Sequence, residues 1–195
     1  MSTAISKDWR AAMLAAALAF GPAWVAAEDS SPAATVTGPQ RVNYTPQALP
    51  ASQWPQANRV VVRKSERKLE LMRGQEVLRT YRIALGLAPT GHKEREGDFR
   101  TPEGRYMLTR RNPRSDYFLS IQVSYPSQED VRRAKKNGVD PGGAIMIHGM
   151  PNRLRHDPDY YLRRDWTDGC IAVSNSDMVE IWLLTQDDIP IEILP

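Results

Sequence analysis

Cysteine occurs once in the 195 residues, at position 170 in the stretch DWTDGCIAV. A lone cysteine forms no internal disulfide, which leaves a buried small hydrophobe, a metal ligand or a nucleophile. A thiol becomes an effective nucleophile when a base takes its proton or a cation lowers its pKa. Imidazole is the side chain suited to that task near neutral pH. His148 ends the apolar run Ala144-Ile-Met-Ile147 and precedes Gly149, whereas Cys170 follows Gly169 and precedes Ile171-Ala-Val173. Each stands at the end of a short buried strand, and two strand ends at one sheet edge would bring thiol and imidazole together. Gly149 and Gly169 allow a substrate close to the backbone, where N–H groups could hold an oxyanion. Zinc is the competing use. His92, His148, His156 and Cys170 could supply ligands, yet no close pair such as CxxC or HxxxH is present, and no metal is expected.

The segment between His148 and Cys170 carries Arg153, Arg155, Arg163 and Arg164. Guanidinium groups grip carboxylates in a bidentate fashion, so these four are candidates for substrate binding; a solvated loop surface is the other reading. Asp168 reads either as a carboxylate that orients His148 or binds a substrate amino group, or as a turn residue before glycine. Tyr160, Tyr161 and Trp166 are expected to pack this loop, and Thr101-Pro-Glu-Gly104 to form a structural turn.

Short strands must position these groups. Strands are expected at residues 60–62, 68–72 and 77–85, with a turn at Arg73-Gly74-Gln75. Another is expected at 106–109, ahead of a turn at Asn112-Pro113, and another at 117–125, where polar and apolar residues alternate until Pro126. Ser127 to Asp130 has the pattern of a capping box, opening a helix to about Lys136 that closes near Gly138. Residues 144–147 form a compact strand. Ser174-Asn-Ser176 caps a helix over about 177–184 with Met178, Ile181 and Trp182 on one side, and a last strand covers 189–194. The expectation is a mostly β domain with two or three helices.

Upstream the composition differs. Lys7 and Arg10 precede an alanine-rich apolar stretch broken at Gly21-Pro22, and Val25-Ala-Ala27 offers small residues for cleavage. This reads as a signal peptide over residues 1–27, since the apolar stretch falls short of the about 20 residues a membrane span needs. No membrane span is expected after cleavage. Residues 28–56 are rich in Pro, Ala and Ser and read as a linker, leaving 57–195 as the folded domain. A net charge of +3, with both signs interspersed, argues against a nucleic-acid partner. Outside the cytoplasm structural cysteines usually come in pairs, so export favours a reactive role for an unpaired one.

Three blocks carry a family resemblance: ALGLAPTGHKEREGDFRTPEGRYML, VSYPSQEDVRRAKKNGVDPGGAIMIHGMPN and WTDGCIAVSNSDM. Together they resemble the YkuD-type L,D-transpeptidase catalytic domain, over about residues 59–195. The resemblance implies that Cys170 is the nucleophile that forms a thioester with a peptide carbonyl. It also implies that His148 is the general base and later acid, and that Gly169 lies where the oxyanion is bound. It further implies a β-sandwich-like domain, no metal or organic cofactor, export to the cell envelope or periplasm, and diaminopimelate-containing stem peptides of peptidoglycan as substrate. The usual motif has a second histidine before Gly-Cys and an arginine two residues after the cysteine; here those places hold Asp168 and Ala172. This form is similar to the YafK-like branch, some of which are thought to release a peptidoglycan-bound lipoprotein by hydrolysis. The expected function is therefore acyl transfer through a Cys170 thioester. The alternatives are a hydrolase of the same type and a non-catalytic wall-binding module.

Overall fold

A computed structural model describes residues 54–195. The expected signal peptide and all but the last residues of the expected linker lie outside the described residues. Within them, no helix is long and apolar enough to cross a membrane.

The described chain forms eight strands and three helices. The first three strands are β1 (Arg59–Arg63), β2 (Lys68–Arg73) and β3 (Glu76–Arg82), a meander of antiparallel neighbours. Gly74, at φ +61°, makes the β2–β3 turn. Next come β4 (Gly104–Ser115), β5 (Phe118–Val123), α1 (Gln128–Lys136) and β6 (Met146–His148). The chain finishes with α2 (Pro158–Arg163), β7 (Ile171–Ala172), α3 (Asn175–Leu184) and β8 (Ile189–Leu194). The strands form one sheet in the order β3-β2-β1-β8-β4-β5-β6-β7. The C-terminal strand is therefore interior, parallel to β1 and antiparallel to β4. It fits there because Ile191 and Ile193 alternate onto the buried face.

The sheet curls until its two ends meet. Just after β3, Ala84 exchanges backbone hydrogen bonds of 2.8 Å with Ala172 of β7. The enclosed core holds Val60, Val62, Leu69, Leu71, Leu108, Ile121, Ile147 and Ile171, with Met178 and Ile181 of α3 packed into it. The mostly β fold expected from the sequence is thus realised as a single closed-up sheet with three helices.

Two local expectations change. The chain does not turn at Asn112-Pro113; β4 runs through both residues and turns after Ser115. The ladder between β4 and β5 shifts register between Asn112 and Ser115, and Pro113 sits in that irregularity, where its missing N–H costs no ladder bond. The second change is α2, an additional short helix inside the loop after His148. Asp157 caps it and Pro158 occupies its first turn, a start signal present in the sequence. The other two helices begin where their caps stand. Ser127 and Asp130 form the reciprocal capping box, and Ser174 accepts from the Asp177 N–H.

Candidate active site

Alternation along β5, β6 and β7 sorts the site from the core. Ile121, Ile147 and Ile171 are in register and fully buried. Their neighbours Ser120, Met146, His148 and Cys170 line a cavity of about 360 Å³ together with Asn112, Asp116, Tyr117, Trp166 and Asp168. Because β6 and β7 are parallel with Ile147 opposite Ile171, Cys170 lies level with Met146, two residues short of His148. Thiol and imidazole are thus diagonal neighbours above one sheet face. Strand register, rather than two coincident strand ends, brings them to the same cavity.

The turn that carries Cys170 is anchored on both sides of Asp168. The Asp165 carboxylate accepts from the Arg67 guanidinium at 2.7 Å and from the Leu85 N–H at 2.9 Å. The buried Thr167 hydroxyl accepts from the Gly169 N–H (3.2 Å) and donates to the Cys170 carbonyl (2.8 Å), closing the turn on itself. Residues 86–103 pack against it from outside. A Cβ on Gly86 would lie 2.1 Å from the Phe99 carbonyl oxygen, so only glycine fits there. The buried Lys64 ammonium staples the far side of this segment, donating to the Thr101 carbonyl at 2.9 Å and to Glu103 at 2.8 Å. Thr101–Gly104 is accordingly structural.

His148 is 3% exposed and packs against the rings of Tyr117 (centroids 4.6 Å apart) and Trp166 (5.6 Å). Its Nδ1 lies 2.7 Å from the Gly149 carbonyl oxygen. A carbonyl only accepts, so Nδ1 carries the proton and Nε2 keeps the lone pair that a base needs. Burial lowers the imidazole pKa from its usual 6.5 to about 4, opposed by the Gly149 bond. Burial pushes the Cys170 thiol upward, and the Asp168 carboxylate adds to that rise. The resting pair is therefore neutral thiol beside neutral imidazole. Sγ points to the Ala144 carbonyl oxygen at 3.6 Å.

The buried neutral imidazole predicts acid lability. Its pKa is depressed in the folded state, so the unfolded chain takes up this proton first. The contribution is complete above about pH 6.5 and is lost as the pH falls toward 4, on the order of 3 kcal/mol. Urea midpoints at pH 7 and pH 4.5 should differ more for the wild type than for His148→Gln. Equal differences would mean that another group governs this window.

Several residues singled out from the sequence take other places. The Gly149 N–H donates to the carbonyls of Tyr117 (3.1 Å) and Leu119 (3.2 Å), and the Gly169 N–H is taken by Thr167. Neither amide is free in this conformation, whereas no acceptor among the described residues engages the Cys170 N–H. Asp168 is exposed at the cavity and does not contact His148, whose Nδ1 partner is the Gly149 carbonyl. The four arginines separate. Arg153 and Arg155 line a second cavity of about 770 Å³ that shares Asp116, Tyr117 and Trp166 with the first. Arg163 pairs with Asp159 on an exposed face of α2, and Arg164 lies over the Tyr160 ring. Tyr161 packs edge to face against both Tyr160 and Trp166, and Trp166 donates to the Tyr161 carbonyl. His92 is held by Asp130 at 3.1 Å and His156 stacks on Tyr160, so the three histidines do not converge. No group of three or more potential ligand side chains among the described residues is arranged to hold a metal.

Sequence reasoning passed over Asp165, Thr167, Lys64 and Ser120. Of these only Thr167 left a local signal, a hydroxyl three residues before the thiol where it can close a tight turn.

Comparison with known proteins identifies a family. The family model for the YkuD L,D-transpeptidase catalytic domain matches residues 57–193. A curated relative in Escherichia coli (strain K12), "Putative L,D-transpeptidase YafK", is 30% identical over 125 residues, covering 61% of this chain and 43% of the relative. Among solved structures, the helical cell shape determining protein Pgp2 from Campylobacter jejuni is 26% identical with a TM-score of 0.52, covering 69% of this chain and 46% of that one. Its K307A mutant aligns with a TM-score of 0.53 at the same identity, covering 71% and 47%. This chain spans less than half the length of these relatives. With a family model matched across nearly the whole described region and a curled sheet shared with Pgp2, the chain belongs to the YkuD family of L,D-transpeptidase catalytic domains.

Proposed function

We propose that this protein is an exported cysteine acyltransferase that acts on diaminopimelate-containing stem peptides of peptidoglycan, with Cys170 as nucleophile and His148 as general base. The observation that carries this reading is the placement of Cys170 and His148 above one sheet face in one cavity, with the imidazole proton fixed on Nδ1. Nε2 takes the thiol proton as Sγ attacks the peptide carbonyl. The Cys170 N–H is positioned to receive the developing oxyanion. Collapse of the adduct breaks the C–N bond; the protonated imidazole gives its proton to the leaving amine, and a thioester remains. An amine acceptor then completes transpeptidation, and water completes hydrolysis. Neutral resting groups suit this cycle, because the proton moves only as charge develops at the carbonyl.

The second cavity supplies a place for the substrate's carboxylates. Arg153 and Arg155 line it and are paired with no acidic side chain among the described residues, whereas Arg163 has its own partner. Charge-assisted hydrogen bonds to a carboxylate contribute about 2 kcal/mol each. Arg153→Ala and Arg155→Ala should each raise KM for a tetrapeptide muropeptide by roughly tenfold or more while leaving kcat nearly unchanged. Arg163→Ala, which breaks an exposed pair, should change neither by more than about twofold. Equal effects at all three positions would remove the second cavity from the substrate path.

The test of the function is mass spectrometry of purified sacculi, with and without attached lipoprotein, after incubation with the full chain or its Cys170→Ala variant. New diaminopimelate–diaminopimelate crosslinks that require Cys170 make it a transpeptidase. Cys170-dependent loss of a crosslink, a terminal residue or bound lipoprotein, with no new bond, makes it a hydrolase of the same thioester type. Unchanged sacculi that nevertheless retain the protein on sedimentation would make it a wall-binding module. Either enzymatic outcome would let it remodel the wall, in keeping with the cell-shape role carried in Pgp2's name.

A further inference from the structure

The strand order β5-β6-β7 sets His148 between two neighbours on the same face. On the β7 side is Cys170; on the β5 side is Ser120, in direct register with His148. Ser120 is 5% exposed and lines the thiol cavity. Its hydroxyl makes no hydrogen bond with any described residue, although the other buried hydroxyls on this site's supports, those of Thr101 and Thr167, are engaged. The hydroxyl is open to the cavity, so it takes its hydrogen-bond partner from whatever occupies that space, in a strand position that an apolar residue would fill more favourably.

We propose that Ser120 is a further catalytic residue, whose hydroxyl holds the incoming acceptor, amine or water, against the imidazole in the second half of the reaction. This rests on the reading of Cys170 and His148 as nucleophile and base. Once Sγ carries the acyl group, the thiol side of His148 is occupied, and the flank away from it is bordered by Ser120. The acceptor's lone pair forms the new bond to the thioester carbonyl carbon, its proton passes to Nε2, the C–S bond breaks, and the proton moves on to Sγ. No oxidant, reductant or further reactant is required. A serine hydroxyl both donates and accepts, so it can orient either acceptor with its lone pair toward the carbonyl and its hydrogen toward the base.

The proposal separates the two half-reactions. The full chain is mixed with a purified disaccharide-tetrapeptide muropeptide and quenched over a rapid time course. Acyl-Cys170 is read by intact mass, and the leaving group is quantified. Ser120→Ala should acylate within about twofold of the wild-type rate, and its acyl-enzyme should persist roughly tenfold to a hundredfold longer. Ser120→Thr, which keeps the hydroxyl, should restore turnover of the adduct to near the wild-type rate. An adduct that decays at the wild-type rate in Ser120→Ala overturns the proposal. So does a parallel fall in both steps, or a failure of Ser120→Thr to rescue, since each assigns the residue to packing. A wild-type chain that forms neither adduct nor product would instead overturn the thioester reading itself, and the role of Ser120 with it.

Discussion

Cys170→Ala should lose the proposed activity on sacculi by a factor on the order of 10³ or more while leaving the fold intact. The size follows from the chemistry. Without Sγ there is no thioester, and the remaining groups can only polarise a carbonyl that water must then attack unaided. The fold should survive because the thiol is partly exposed at a cavity wall and its polar contacts, to the Ala144 carbonyl at 3.6 Å and with the Met146 backbone, are weak. Ala removes one sulfur from a space already open to solvent, so the cavity term that makes core truncations costly is small here. The check is the sacculus assay run beside a thermal melt of both chains. Loss of product at unchanged Tm supports the nucleophile. Residual activity of more than a few per cent would show that the bond is cleaved by another route, and a large drop in Tm would recast Cys170 as a packing residue.

Gly169→Ala should be strongly destabilising, with a stability loss of about 4 kcal/mol. Two independent physical costs coincide. Gly169 sits at φ +130°, in a region that side chains other than glycine's hydrogen rarely enter. Its added Cβ would also stand 2.6 Å from the Arg100 carbonyl oxygen and 3.3 Å from Ile145. The first of these is backbone, which cannot rotate away as a flexible side chain would. Relief would require residues 86–103 to lift from the turn, and the Lys64 bonds to Thr101 and Glu103 hold that segment down. Urea unfolding of Gly169→Ala beside Asp168→Ala measures the difference. The neighbour is exposed, so its replacement should cost little. Similar costs for the two would show that the turn adjusts, and that close approach does not dictate the glycine.

The elements that could be read from the sequence are those whose signals are local. The β2–β3 hairpin announces itself through Arg73-Gly74-Gln75 between alternating runs, and α1 and α3 through Ser127 and Ser174 at their caps. Pro113 misled because proline normally ends a strand; whether it does depends on whether the partner strand needs its N–H at that register. Asp157-Pro158 carried the start of α2 in plain form, but within a loop whose polar composition masked so short a helix.

The residues alone offered Cys170 and His148 as a candidate pair beside the reading of a buried thiol and a core histidine, and the surrounding motifs carried the family. They carried the alternating faces too, since the two-residue period of a strand is written in the side chains themselves. What the tertiary structure decided was everything set by register and by contact across distance. The parallel pairing of Ile147 with Ile171 makes thiol and imidazole diagonal neighbours. The pairing of Ser120 with His148 puts a free hydroxyl on the other flank. The closure of Ala84 on Ala172 brings residues 86–103 against the turn that carries Cys170, and Arg153 and Arg155 line a cavity while Arg163 pairs outside it. Such choices depend on partners far away along the chain, whose positions become defined only when the sheet closes. A single sequence states which groups can react, and the closed sheet states which of them meet.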